Sequence, residues 1–285
     1  MFPASFEYHR ASSVEEALNL LGQHEDAKLL AGGHSLLPMM KLRLAQPALL
    51  VDIGRVEGLR GISRDGDSIR IGALTTHHEL ATSDVLKEGC PLLAEAAAKI
   101  GDPQVRNKGT VGGNIAHADP ASDLPAVLCA LGAKVHLQGQ GGDRTVASGD
   151  FFVDLLETAL GEEEILTAIE VTAGPPRSGS AYLKVEHPAS GYAICGAAAL
   201  VHLGDDGKIA CASLAFNGVS ATPTQAIAVG DALAGQGAEA IDAAIAHVTV
   251  DEPLSDVHAS GEYRTHLARV YGKRALRLAL ERAGS

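Results

Sequence analysis

Tryptophan is absent from this chain of 285 residues and aromatic side chains make up only 4% of it, so few rings are available to stack on a large planar ligand. The four cysteines, Cys90, Cys129, Cys195 and Cys211, are scattered without a CxxC pair. That excludes the ligand spacing of a zinc site or of a cysteine-held iron–sulfur cluster within this chain, and all four read as buried free thiols. No run of Lys or Arg could track a phosphate backbone, and the formal net charge is −12, which argues against nucleic acid as a partner. Apolar stretches such as Ala193–Leu203 are too short to span a bilayer, and the N-terminus lacks a basic region followed by an apolar block. A cytoplasmic protein with no membrane span is expected. Neither the GxGxxG of a Rossmann site nor the GxxxxGK(S/T) of a P-loop occurs, and GxSxG is missing as well.

Hydrophobic residues at 46% and charged residues at 20% are ordinary globular usage, and the length suits two domains or one large one. Ser13 followed by Glu16 forms a capping-box pattern, with Val14, Ala17, Leu18 and Leu21 at helical spacing, so a helix is expected over 13–22. An apolar run from Ala27 to Ala31, the turn Gly32-Gly33 and a short helix opening at Leu36-Leu37 read as strand, glycine turn, helix. Leu49–Ile53 and Ser68–Ile71 look like strands, and Leu92–Ile100 an alanine-rich helix stopped by Gly101 and Pro103. A long irregular loop over Gly109–Pro125 should follow, then a helix over Leu124–Leu131 and a strand over Lys134–Leu137. Turn formers crowd Gly174-Pro175-Pro176-Arg177-Ser178-Gly179-Ser180, the best candidate for a domain boundary. Beyond it, strands near 180–187, 193–203 and 208–217, the hairpin signal Gly204-Asp205-Asp206-Gly207 and two or three helices suggest a smaller α+β domain.

Two glycine pairs carry the chemistry. In Leu29-Leu30-Ala31-Gly32-Gly33-His34-Ser35, adjacent glycines permit positive φ and leave no Cβ between backbone and ligand, so exposed N–H groups suit a diphosphate. A single Gly-Gly pair is more often an ordinary tight turn. The second string, Thr110-Val111-Gly112-Gly113-Asn114, repeats the arrangement and adds side-chain donors, so that two turns could clamp one diphosphate from both sides. His77-His78-Glu79 lacks the i, i+4 spacing that aims two imidazoles at one metal ion, and reads as a solvated helix start. His117 and Asp119 belong to no recognisable triad, and Glu162-Glu163-Glu164 reads as a solvated acidic turn.

AGGHSLLP followed downstream by TVGGNIAHADPASDLP resembles the flavoprotein subunit of the carbon monoxide dehydrogenase and xanthine oxidase family of molybdenum hydroxylases. The likeness runs from FEYHRASSVEEALNLL through DIGRVEGLRGI and IGALTTHHEL to EEILTAIEV and YLKVEHPASGYAICGAAA. It implies an α+β fold. A two-lobed FAD-binding domain of the vanillyl-alcohol-oxidase-like type would occupy residues 1–175, its lobes split near 55–60. A smaller α+β domain with an antiparallel sheet and helices would occupy 178–285.

The resemblance also implies FAD contacts along Lys28, Leu29, Leu30, Ala31, Gly32, Gly33, His34, Ser35 and Leu36, with Ile100 and Gly101 as a second contact. Thr110, Gly112, Gly113 and Asn114 match the second diphosphate clamp, and Ser122 and Asp123 a contact to FAD hydroxyls. Ile165 or Leu166 matches an apolar residue on the isoalloxazine, and Lys184 a basic residue at the flavin that would stabilise the reduced ring. Tyr192 falls where some relatives carry an aromatic at a flavin face, and an ordinary strand residue is an equal reading. No catalytic residue and no metal ligand is implied.

The chain would be an oxidoreductase component, the medium subunit beside a large molybdenum–pterin subunit and a small subunit with two 2Fe–2S clusters, arranged as a dimer of heterotrimers. It would take electrons from those clusters and pass them to an external acceptor. The alternative is a stand-alone FAD-dependent oxidase or reductase with its own substrate pocket.

Overall fold

The computed structural model describes residues 1–285. The first lobe is built from β1 (Glu7–Arg10), α1 (Val14–Gln23), β2 (Ala27–Leu30), α2 (Leu36–Lys41) and β3 (Leu49–Asp52). Its three strands are parallel in the order β1-β3-β2, as short helical crossovers require. Ser13 caps α1 by accepting from Glu16 N–H at 3.0 Å, and Ala17 and Leu18 on the inner face of α1 join Val51 and Ile53 in a small core.

The second lobe begins with β4 (Ile62–Asp65) and β5 (Ser68–Gly72). A run of short helices follows: α3 (His77–Thr82), α4 (Asp84–Gly89), α5 (Pro91–Ala98), α6 (Pro103–Arg106), α7 (Val111–His117) and α8 (Asp123–Leu131). The lobe is completed by β6 (Lys134–Gly139), β7 (Gly142–Ala147), α9 (Ser148–Phe151), the hairpin β8 (Phe152–Asp154) with β9 (Glu157–Thr158), and β10 (Glu164–Thr172). The antiparallel sheet runs β4-β5-β10-β6-β7. Ordinary alternation along β10 puts Ile165 in the first lobe's core and neighbouring Leu166 in the second's, and a register irregularity after Leu166 lets Ile169 join that second core as well. With residues in both cores, β10 stitches the lobes together.

The remaining sheet is antiparallel, β11 (Ser178–Glu186), β12 (Ala193–Leu203), β13 (Ile209–Asn217) and β14 (Thr224–Gln225), backed by α10 (Ile227–Leu233), α11 (Ile241–Ala244) and the long α12 (Gly261–Ala283). Ser260 caps α12 by accepting from Tyr263 N–H at 3.2 Å. Small residues let α12 lie close on the sheet: a Cβ on Gly272 would stand 2.9 Å from the Phe216 ring. Three cysteines are buried, whereas Cys211 is exposed on β13, so the expectation of four buried thiols fails there.

The stretch expected to be an irregular loop over Gly109–Pro125 is largely helical. Thr110 is the N-cap of α7, so Gly112 and Gly113 occupy a first helical turn and not a glycine turn. Among the four glycines of the two pairs only Gly33 has positive φ, at 73°.

Candidate functional site

A cavity of about 720 Å³ opens where both lobes meet the C-terminal domain, within the size range of cofactor sites. Its walls combine the β2–α2 turn, the starts of α6 and α7, the α7–α8 connection, the hairpin β8–β9, the head of β10 and the segment Ser190–Tyr192.

At the β2–α2 turn, Gly33 takes the left-handed conformation that glycine tolerates, and the N–H groups of Gly33, His34, Ser35 and Leu36 find no acceptor within the protein. Four consecutive free amides of this kind suit an anion. Gly32 permits the opposite wall to close in: a Cβ there would stand 3.0 Å from Gly109 Cα and would strike the Lys108 carbonyl. Across the gap the α7 amides are already engaged. Val111 N–H bonds Thr75 O at 2.9 Å, Gly112 N–H bonds Ala73 O at 2.8 Å, Asn114 N–H bonds Thr110 O at 3.0 Å, and Gly113 N–H bonds Thr110 Oγ1 at 3.2 Å. The two sides are therefore not a matched pair of amide clamps. Gly112 serves packing, since its Cβ would collide with Ala73, and the free donors on this side are side chains and the Thr110 N–H. The Asn114 amide oxygen accepts from Ser122 Oγ at 2.8 Å, which turns its NH₂ away from Ser122.

Further along, Asp123 is buried at the start of α8. Its Oδ1 accepts from the Tyr182 hydroxyl at 2.5 Å, and the Lys184 ammonium lies 3.2 Å from either carboxylate oxygen. The Tyr182 phenol has a single proton, which goes to Asp123, so the Asn217 amide 3.1 Å away is satisfied by turning its NH₂ to the phenol oxygen. Burial pushes the Asp123 carboxyl up to about 6, while Lys184 and Tyr182 pull against it. Lys184 also donates to Lys99 O and Gly191 O, each at 2.7 Å, which occupies all three ammonium protons. Lys184 is thus set behind Asp123 and not on the cavity wall; any effect it has on a bound ligand passes through that carboxylate.

Of the residues singled out from sequence, Leu30 and Lys184 are off the wall. The structure gathers the others around the one cavity: Lys28 to Leu36 apart from Leu30, Ile100 and Gly101, Thr110, Gly112, Gly113 and Asn114, Ser122 and Asp123, Ile165 and Leu166, and Tyr192. Tyr192 precedes β12 and is half exposed at the cavity mouth, so it is not an ordinary strand residue. His77 departs most from its reading as a solvated helix start. It lines the cavity at 3% exposure, while His78 alone faces solvent. The capping box of Thr76 with Glu79 begins α3 at His77, and the bridge between Thr76 and Thr110 carries that turn against α7, a pairing no local sequence signal announces.

These groups fit a flavin dinucleotide: free amides beside Lys28 for a diphosphate, a buried carboxylate for hydroxyls, and Ile100, Ile165 and Leu166 as apolar surface for a ring. The comparisons agree. A family model described as the FAD binding domain in molybdopterin dehydrogenase matches residues 4–173, and the CO dehydrogenase flavoprotein C-terminal domain matches residues 180–279. The chain is 42% identical to the carbon monoxide dehydrogenase medium chain of Hydrogenophaga pseudoflava, covering 99% of each. It is 40% identical to the 6-hydroxypseudooxynicotine dehydrogenase complex subunit alpha of Paenarthrobacter nicotinovorans, over 99% of this chain and 97% of the relative. Among solved structures it superposes on a chain of the Hydrogenophaga pseudoflava carbon monoxide dehydrogenase with a TM-score of 0.95 at 44% identity, covering 99% of each. A chain of quinoline 2-oxidoreductase from Pseudomonas putida 86 gives 0.93 at 30% identity, with both chains fully covered. The chain belongs to the FAD-binding medium subunits of the molybdenum hydroxylase family.

Proposed function

We propose that this chain carries electrons through FAD from the 2Fe–2S clusters of a small partner subunit to an external acceptor, while a large molybdenum subunit oxidises the substrate. The observation that carries the reading is the nest of unpaired amides at the β2–α2 turn, in a chain matched end to end by medium chains. Bound FAD supplies an electron store that accepts single electrons and releases pairs. The protein's own residues bind and orient: the turn amides and Lys28 hold the diphosphate, Ser122 and Asp123 meet hydroxyls, Ile165 and Leu166 support the ring, Tyr192 covers its edge, and Lys184 steadies Asp123. Residues 1–175 form the flavin domain, with lobes dividing near 55–60, and residues 178–285 the second domain. A dimer of heterotrimers in the cytoplasm is the assembly we infer; no helix is long and apolar enough to cross a membrane. The stand-alone flavoenzyme is not favoured, because relatives matching over the full length are named as medium chains.

Relatives are named for carbon monoxide, 6-hydroxypseudooxynicotine and glyceraldehyde, so one medium-chain fold serves several reactions and the substrate is set elsewhere in the complex. The test is anaerobic spectroscopy of the FAD-loaded chain. With aldehydes, N-heterocycles or carbon monoxide the flavin should stay oxidised, and it should bleach only after the partner subunits are added. Bleaching in the chain alone would establish a substrate pocket of its own.

A further inference from the structure

The diphosphate subsite is lopsided. The β2–α2 turn presents four unpaired amides, whereas the amides of Val111 to Asn114 are spent inside the protein. On that second side stands the imidazole of His77, packed on Gly109 so closely that a Cβ there would lie 2.8 Å from its Cδ2, and Gly109 in turn packs on Gly32. His77 therefore sits one residue's thickness behind the first turn, and it lines the cavity. Its Nδ1 is enclosed without a hydrogen-bond partner; its Nε2 is not enclosed in that way. A neutral imidazole has one N–H. On Nδ1 that proton would be a buried donor with no acceptor, so the favoured tautomer carries it on Nε2.

Protonation would add an Nδ1–H in the same enclosure. Burial, and after it the proximity of His34 on the first turn and Arg106 on α6, holds the imidazole's pKa down to about 4. Glu79 on the same helix is turned onto Thr76 and Arg60 and offers the ring nothing. Lys28 is the single Lys or Arg on the cavity wall, so a neutral donor opposite the amide nest has an evident use.

We propose that His77 is a binding residue for the flavin diphosphate, donating its Nε2–H to a phosphate oxygen from the side opposite the glycine turn. The proposal rests on the reading that this cavity holds FAD. It makes His77 a fixed donor and not a proton shuttle.

The experiment measures FAD and riboflavin affinity of the deflavinated full chain by flavin fluorescence. His77→Ala should weaken FAD by about 10- to 100-fold, the loss of one hydrogen bond to a charged group, and leave riboflavin, which has no phosphate, unchanged. His77→Gln, whose amide nitrogen falls near the Nε2 position, should recover most of the affinity. His77→Asn, whose amide nitrogen falls near Nδ1, should not. Equal losses for FAD and riboflavin, normal FAD binding by the Ala variant, or rescue by Asn and not by Gln would overturn the proposal. Should the Ala variant fail to fold, nitrogen-labelled histidine spectra of the unmutated chain decide. An Nε2–H tautomer whose signal moves with FAD and not with riboflavin supports it, and an Nδ1–H tautomer or an FAD-insensitive signal rejects it. Failure of the unmutated chain to take up FAD at all would instead overturn the reading of the cavity, and this proposal with it.

Discussion

Asp123 and His77 are two buried titratable groups on one cavity, and burial moves them in opposite directions along the pH scale. Asp123 rises from its ordinary 3.8 to about 6, so the folded chain binds that proton more tightly than the unfolded one. Its contribution to stability is present below about 4 and is lost as pH rises through about 6. His77 falls from 6.5 to about 4, so the stability it contributes is present above 6.5 and is lost as pH falls towards 4. Because His77 is common to both proteins, comparing the flavin-free chain with Asp123→Asn isolates the carboxylate. The melting temperature of the unmutated chain should fall relative to that of the variant as pH rises from about 4 to about 6, and parallel curves would reject this. Asp123→Ala should weaken FAD by roughly one to two decades, as removal of a charged hydrogen-bond acceptor does, read by equilibrium dialysis. Asp123 was legible in sequence because it stands in the DPASDLP string. His77 was not: His-His-Glu has no metal spacing, and the enclosure of one ring nitrogen depends on Gly109, far away in the chain.

Among the elements, the two glycine pairs do different work, and substitutions should separate them. Gly33 has φ of 73°, and a Cβ there would stand 2.9 Å from Leu37 Cδ1, so Gly33→Val distorts the amide nest and should abolish FAD retention while far-ultraviolet circular dichroism is kept. Gly112→Val meets the backbone of Ala73, its oxygen at 2.8 Å and its Cα at 2.9 Å, which cannot move aside. Its main effect should be a lower melting temperature, by the several degrees that overpacking costing about 1–3 kcal/mol produces. Gly113→Ala meets only the Thr110 hydroxyl at 2.9 Å and Ala31 Cβ at 3.8 Å, so it should spare the fold and weaken FAD by crowding the gap. Equal melting temperatures for the Gly112 and Gly113 variants would refute this division of labour. Both pairs are visible in the sequence, but the second points to a turn there, because each glycine disfavours a helix interior by about 1 kcal/mol. Tertiary packing on Ala73 and the Thr110 cap override that preference. Strands β1 and β7 escaped notice for a different reason: β1 is exposed at all four residues and β7 at all but one, so neither carries an alternating pattern.

At the scale of the whole molecule, the flavin domain and the C-terminal sheet share a seam along the cavity. Ala193 N–H bonds Ala121 O at 3.1 Å and Gly218 N–H bonds Pro120 O at 2.7 Å, tying the α7–α8 connection to β12 and to the end of β13. Arg264 of α12 braces the C-terminal side of that seam, donating to Ile194 O and Gly218 O at 2.6 Å each and to Asp256 at 2.7 Å. Arg264→Ala should lower stability by about 3 kcal/mol in urea denaturation and speed flavin release; a variant that unfolds like the parent would dismiss the brace. The turn formers at Gly174–Ser180 suggest where the chain divides, but no sequence signal announces this joint, whose partners are backbone atoms that any side chain could bring. Asp123 finds both its partners, Tyr182 and Lys184, on β11, and the wall closes only with Ser190–Tyr192. A growing polypeptide that has just finished β10 thus has its glycine turn and its amides in hand but an open cleft with an unmatched carboxylate inside it. Flavin capture is expected only after the ribosome has delivered β11 and the Ser190–Tyr192 segment that follows it.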